Sequence, residues 1–425
     1  MGRAFFRRTS SPSVIICILV YSTKKARPGT RWVPLACPLK VSYNCPQAPR
    51  PARGRIGGST VKTTLLRDRH ERLGARFAPF AGYDMPIQYP SGAIEEHRLT
   101  RRSVGLFDID HMGQVMVSGT GAGKALSVLV SGRILDMKTN EARYSLLLDE
   151  EGFVLDDLFI YRLGEEEWFV VVNASNREAD FARLRGLIPA SVSVRDLSDE
   201  TYMIAVQGPR AVELLDALSG GSLSATPRFS MTEATVSSVP CRMGRTGYTG
   251  EDGAELFYPA ARAGELWDAL LEKAAALGIE AGAVGLAARD SLRFEAGMPL
   301  HGHEISPSIN PLEALLGWAC DWEKDFVGKT SLLRLKAAGL ERKLVTLNVS
   351  GGVPREGYAV TDREGNGIGA CVAGMFCPTV QTYSANAFVP PALAAVGTEL
   401  AVSIRGAAKP AVVAKRPLYI PAYRR

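Results

Sequence analysis

The sequence predicts a multidomain α+β protein, and three observations carry that prediction. Strand-like runs cluster between residues 114 and 173 around one helical stretch. A second mixed segment follows from 175 to 277. From about Leu344 the texture changes to short strands broken by glycine and proline. A chain of 425 residues is long enough for two or three domains, and 46% hydrophobic with 22% charged residues excludes a mainly disordered, collagen-like or disulfide-framework protein.

The leader comes first. Residues 1–67 hold thirteen of the 50 Lys and Arg and no Asp or Glu, so the remainder carries 37 basic against 44 acidic residues and is mildly acidic. An acid-free start rich in Ser, Thr, Pro and Arg matches an organelle transit segment, with the mitochondrial matrix as the expected address and a plastid or secretion as alternatives. Its longest apolar run, from Val14 to Val20, is too short to span a bilayer, and no membrane role is expected. The acidic body shows no basic stripe that would track phosphates, which argues against nucleic acid as a partner.

Between residues 63 and 109, helical pieces surround a stretch whose Pro79, Pro86 and Pro90 forbid one long helix, so a packed, irregular entry is expected. Strands are expected at 114–117, 142–148, 154–161 and 168–173, with a helix near 122–130. Ser175-Asn176-Arg177-Glu178 has capping-box spacing and should open a helix running to about Leu187. A strand at 202–206 and a helix at 210–218 follow, then two strands within 239–257 around the turn from Gly247 to Gly253. The segment 263–277, with Leu266, Leu270 and Leu277 on one face, is the most regular helix. Short strands then run to Arg416 as a separate β-rich domain.

Several motifs dissolve on inspection. In Ser118-Gly119-Thr120-Gly121-Ala122-Gly123-Lys124 a phosphate loop would need Gly at 118 and a hydroxyl at 125, where Ser118 and Ala125 stand, so a glycine turn entering a helix is expected and nucleotide is not. His301-Gly302-His303-Glu304 offers two histidines without a third metal partner, and His111 alone is unspecific. Beyond the leader's Cys17, Cys37 and Cys45, the cysteines Cys241, Cys320, Cys371 and Cys377 form no CxxC pair and read as reduced, mostly buried thiols.

Two motifs keep their interest. In Gly152-Phe153-Val154-Leu155-Asp156-Asp157-Leu158-Phe159-Ile160-Tyr161, adjacent carboxylates interrupt an apolar strand. Alternate strand residues face opposite sides, so at most one of them can point into a given pocket. In Arg245-Thr246-Gly247-Tyr248-Thr249-Gly250-Glu251-Asp252-Gly253-Ala254-Glu255, three glycines let backbone approach a ligand, while Tyr248 and Glu255 offer a ring face and a bidentate acceptor. A structural hairpin turn explains the glycines equally well.

Together with Phe107-Asp108-Ile109-Asp110-His111-Met112-Gly113, Gln207-Gly208-Pro209 and Leu286-Ala287-Ala288-Arg289-Asp290-Ser291-Leu292-Arg293-Phe294-Glu295-Ala296-Gly297, these motifs closely resemble, in the same order, the aminomethyltransferase (T-protein) family of the glycine cleavage system. The resemblance spans roughly residue 63 to the C-terminus. It implies a folate-binding cloverleaf: two intertwined α/β subdomains over 63–342 and a C-terminal β-barrel or jelly-roll-like domain over 343–425, behind the leader of 1–62. It implies tetrahydrofolate as co-substrate, with no metal, flavin or nucleotide, and lipoylated H-protein as partner. Its reaction passes the aminomethyl carbon to tetrahydrofolate as the 5,10-methylene form and releases ammonia.

Carried over residue by residue, Asp157 matches the family's catalytic aspartate. Tyr144, Asn173, Met112 and Tyr248 match folate-pocket positions, Glu255 and Arg289 the principal ligand-binding acid and arginine. A further ligand-contacting position near the C-terminus falls on Arg424, with a one-residue offset after Pro417. The chemistry suits these types: a carboxylate accepts the adjacent N–H and amine of a pterin, an arginine fork fixes its oxygen or a carboxylate, and Asp157 would stabilise an iminium-like carbon or take a folate proton. Arg101, Arg102 and Lys415 are candidate guides for an acidic lipoyl carrier. The sequence departs from the family at Cys377, where serine is common, and over 384–391. The same fold serves dimethylglycine and sarcosine dehydrogenases, which need an upstream flavin domain too large for this leader, and dimethylsulfoniopropionate demethylases. Non-enzymatic iron–sulfur assembly factors of the same fold carry a Lys-Gly-Cys motif that this sequence lacks.

Overall fold

The computed structural model describes residues 61–424, the Arg424 side chain excepted, so the expected transit segment and Cys17, Cys37 and Cys45 lie outside the described residues. After α1 (Arg67–Arg72) the chain makes an antiparallel hairpin, β1 (Arg76–Phe80) and β2 (Tyr83–Gln88). This corrects the irregular entry expected there. Ala81 and Gly82 both take positive φ in a two-residue connection, the geometry that matches strand twist, and Pro79 and Pro86 are tolerated because a two-stranded ribbon has only edges.

Helix α2 (Ala93–Arg102) leads to β3 (Val104–Asp108). The chain then leaves for β4 (Gly113–Ser118), α3 (Ala122–Leu129), β5 (Ala142–Leu148), β6 (Val154–Arg162), β7 (Glu167–Val172), α4 (Arg177–Leu187) and β8 (Ser193–Asp196). These five strands form an antiparallel sheet in the order β5-β6-β7-β4-β8. Gly119 and Gly121, both at positive φ, make the expected glycine turn into α3. No capping box opens α4: Asn176 is its N-cap, but its side-chain amide is turned away to the Leu155 carbonyl and the Asp156 carboxylate.

The chain returns as β9 (Thr201–Gln207), which pairs with β3, and continues through α5 (Ala211–Ser219), β10 (Met231–Val236), β11 (Val239–Gly244), β12 (Gly253–Pro259), α6 (Ala263–Ala276) and β13 (Ala281–Ala283). The resulting six-stranded sheet has the order β10-β11-β12-β9-β3-β13. One sheet is therefore inserted whole between two adjacent strands of the other. Leu266 and Leu270 of α6 are buried with Trp267 and Ala274, whereas Leu277 caps the helix and is exposed.

Helix α7 (Leu286–Glu295) and α8 (Lys329–Ala338) precede six barrel strands: β14 (Lys343–Val349), β15 (Ala359–Thr361), β16 (Gly367–Cys377), β17 (Thr382–Val389), β18 (Glu399–Ile404) and β19 (Ala407–Ala414). Pairing of β14 with β19 closes the barrel and removes its edges. Helices α5 and α6 cover one face of the six-stranded sheet, and α3 and α4 one face of the five-stranded sheet. The other faces meet across an aromatic layer of Phe107, Tyr161, Phe169 and Phe257. Among the described residues no helix is long and apolar enough to cross a membrane.

Candidate active site

Strand β6 separates its two acids as alternation requires: Asp156 is fully buried, whereas Asp157 keeps accessible surface. Asn173 follows β7. Extending the register from Phe159↔Val171 sets Asn173 opposite Asp157, and extending Gly113↔Val172 sets Met112 opposite Asn173, so three neighbouring strands deliver Met112, Asn173 and Asp157 in one row. The Asn173 side-chain amide donates to Asp157 Oδ1 at 2.6 Å and to Asp156 Oδ1 at 2.9 Å. Tyr144 on β5 donates its hydroxyl to Asp157 Oδ2 at 3.0 Å. Burial, then the negative charge of Asp156, pushes the Asp157 carboxyl up to about 7, against the two hydrogen bonds that favour its ionised form.

A second wall comes from the glycine-rich turn between β11 and β12. Glu255 lies opposite Gly244 and Ala205 on β12, and Thr246 Oγ1 donates to its Oε2 at 2.6 Å, with the Tyr161 hydroxyl 2.7 Å behind Thr246. Burial raises the Glu255 carboxyl above its usual range. Gly253 ends the turn at φ +148°, where a Cβ would stand 2.1 Å from the Val206 carbonyl oxygen. Tyr248 donates its hydroxyl to the Pro299 carbonyl and carries the Arg289 guanidinium over its ring at 4.5 Å. Arg289, from the first turn of α7, has neither a hydrogen-bond acceptor nor an ion-pair partner among the described residues. Burial lowers its pKa while the Tyr248 hydroxyl and Glu255 favour its charge. An enclosed guanidinium left with unused donors is a binding group waiting for an acceptor.

Electrostatics tie the two walls together: Tyr144 feels Tyr248, and Tyr248 feels Asp157. Tyr144, Asp157, Asn173, Tyr248, Glu255 and Arg289 all keep accessible surface although most of them lie deep in the protein. Tyr248 feels the charges of both Asp157 and Arg289, and Arg289 that of Glu255. The site thus sets two carboxyls and one cation around an aromatic ring, suited to a flat, polar-edged molecule on which positive charge develops.

The family model of the GCVT N-terminal domain matches residues 66–324, and that of the glycine cleavage T-protein C-terminal barrel domain residues 342–419. The chain belongs to the aminomethyltransferase (T-protein) family of the glycine cleavage system. Among relatives, the aminomethyltransferase of Symbiobacterium thermophilum is 44% identical over 379 residues, covering 86% of this chain and 99% of that one. That of Synechococcus elongatus is 42% identical over 355 residues, covering 81% and 93%. The crystal structure of the glycine cleavage system aminomethyltransferase T from Bartonella henselae superposes with a TM-score of 0.80 at 36% identity, covering 86% of this chain and all of that one.

Against the T-protein motifs, the structure brings together Asp157, Tyr144, Asn173, Tyr248, Glu255 and Arg289, with Met112 in register beside Asn173. Arg424 lies in the terminal 3-10 turn Ala422–Arg424, and its side chain is outside the described part. The neighbouring Tyr423 is anchored there instead, donating to the Gly250 carbonyl at 2.8 Å with Arg228 over its ring.

Of the basic residues expected to guide a partner, Arg101 is committed inside the protein, whereas Arg102 stays on the surface. Arg101 is buried, bonding Glu251, Glu295 and the Thr249 carbonyl, and Arg102 pairs with Glu95 and Glu280. His303 meets the Val372 carbonyl, while Glu304 is held by Arg293 and Asn386. Cys241, Cys320, Cys371 and Cys377 are free and buried, as expected, with burial pushing their thiols up to about 11 or 12.

Sequence reasoning missed Trp318. It sits in the short 3-10 turn Gly317–Ala319, 70% exposed, and stacks on Tyr144 with ring centres 5.4 Å apart. A tryptophan in a loop without periodicity gives no pattern to find, and only the fold sets it against the site.

Proposed function

We propose that the protein transfers the methylene carbon of the aminomethyl group on lipoylated H-protein to tetrahydrofolate, releasing ammonia and forming 5,10-methylenetetrahydrofolate. The observation that carries this reading is the grouping around Tyr248 of Asp157, Glu255 and Arg289, the last without a hydrogen-bond acceptor or ion-pair partner among the described residues. Glu255 and Arg289 would hold the polar edge of the pterin, and Tyr248, Tyr144 and Trp318 its rings and the arene behind them. In the balanced reaction the aminomethyl carbon loses its bonds to sulfur and to nitrogen and gains bonds to two folate nitrogens. The two folate protons leave on the thiol and on ammonia. Between these steps the carbon is cationic, and a carboxylate in an enclosed site stabilises it more than water would. Asp157, raised to about 7, also stands where it can accept one of those protons near neutral pH.

The test is folate-dependent ammonia release from aminomethylated H-protein. Wild-type protein should turn over, and Asp157→Asn should lose ~10²–10⁴ of the rate while tetrahydrofolate still binds. Near-normal turnover by that variant would refute the assignment.

For location, the proposal is the mitochondrial matrix after removal of the leader. It rests on the leader's composition alone, and the relatives described above are bacterial. Mass spectrometry of the mature N-terminus decides it: a start near residue 60 supports the address, and an intact Met1 overturns it.

A further inference from the structure

Behind the active-site carboxylate lies a buried acid that the reaction scheme leaves unused. Asp156 receives Asn173 N–H at 2.9 Å on Oδ2, and the Asn173 and Asn176 side-chain amides on Oδ1 at 2.9 and 2.7 Å. Because the Asn173 amide also holds Asp157, the orientation of Asp157 depends on where Asp156 keeps that amide. Asp180 stands one helical turn beyond Asn176 on α4, buried, with its carboxyl against Asp156 and with its Oδ2 enclosed and without a donor. The charged groups facing it are Asp156 and Asp157 on β6 and Arg183 on its own helix. Arg183 directs its guanidinium to Glu150 and the Leu148 carbonyl. Two carboxyls in contact with no donor between them must share a proton, since two bare anions so placed would repel in a medium that screens poorly.

We propose that Asp180 is a positioning residue: as a neutral acid it donates its proton to Asp156, which through Asn173 fixes Asp157 toward the substrate. The idea rests on the proposed function for its kinetic readout but not for its spectroscopic one. Burial, then the Asp156 carboxylate, holds the Asp180 carboxyl far above the usual range, in keeping with a retained proton.

The experiment compares full-length wild type, Asp180→Asn and Asp180→Ala with tetrahydrofolate and aminomethylated H-protein. Asp180→Ala removes the donor, so kcat should fall about 10- to 100-fold with tetrahydrofolate affinity unchanged. Asp180→Asn keeps an N–H donor and should restore most of the rate. Infrared difference spectra of wild type at pH 8 should show a protonated-carboxyl carbonyl band that Asp180→Asn lacks. A folded Asp180→Ala with wild-type rate overturns the proposal, as does an Asp180→Asn no better than Ala. Absence of the band overturns it too, and decides the matter if the alanine variant fails to fold. A wild type that shows the band but releases no ammonia refutes the proposed function instead.

Discussion

Tyr144 donates its hydroxyl to Asp157 at 3.0 Å while its ring carries Trp318 stacked 5.4 Å away, so one side chain joins the buried carboxylate to an exposed aromatic face. The hydroxyl favours the ionised form of Asp157. Tyr144→Phe should therefore raise the Asp157 pKa above about 7 and move the acid limb of the pH–rate profile upward. An unmoved limb would separate the two residues functionally.

Trp318 gives a direct optical report. Tetrahydrofolate should change its fluorescence, and Trp318→Ala should weaken tetrahydrofolate binding about tenfold, from loss of ~1–1.5 kcal/mol of stacking, with kcat little changed. Titration of Trp318→Phe, which retains a ring, should fall in between.

The raised carboxyl makes stability depend on pH with a fixed sign. Folded Asp157 holds its proton up to about 7, whereas the unfolded chain releases it near ~4, so between those values the folded state binds more protons and stability falls as pH rises. Asp157→Asn removes that term. Melting temperature should be flatter from pH 4 to 7 in the variant and higher than wild type at pH 7.5. Parallel curves would show that Asp157 titrates normally.

Arg101 locks the glycine-rich turn to α7. It bonds Glu251 at 2.9 Å and Glu295 at 3.2 Å, all three side chains being buried, and stacks on Tyr419. Arg101→Ala should lower stability by ~3–5 kcal/mol, since it leaves two enclosed carboxylates short of a cation. Urea denaturation measures it, and a loss under 1 kcal/mol would show that the network is not needed.

Gly253→Ala tests the turn itself. Its φ of +148° and the 2.1 Å approach to the Val206 carbonyl leave no room for a methyl group, and the strand that must shift carries Glu255. Stability should drop by ~1–3 kcal/mol or more from backbone strain alone, with tetrahydrofolate affinity falling alongside.

Strands and helices with strong periodicity were legible in the sequence to within a residue or two, as β5 and α6 show. The double-aspartate strand could be parsed correctly because alternation alone buries one acid and opens the other. What misled was local chemistry redirected by tertiary contacts. Asn176 sits at a helix start, yet its amide serves Asp156, and Arg101, which looked like a surface charge, bridges two buried acids. Trp318 and Asp180 were invisible because their meaning comes from neighbours more than 20 residues away in sequence.

The insertion of the five-stranded sheet between β3 and β9 bears on how the molecule is made. Those partners are separated by nearly a hundred residues, so the pairing that seeds the six-stranded sheet waits until the intervening layer has been synthesised and closed up. Until α7 leaves the ribosome there is no Arg289 to lie over Tyr248, and an N-terminal fragment ending before it would hold half the candidate site around exposed apolar surface. A chain truncated there should be cleared by proteolysis and leave no partly active enzyme.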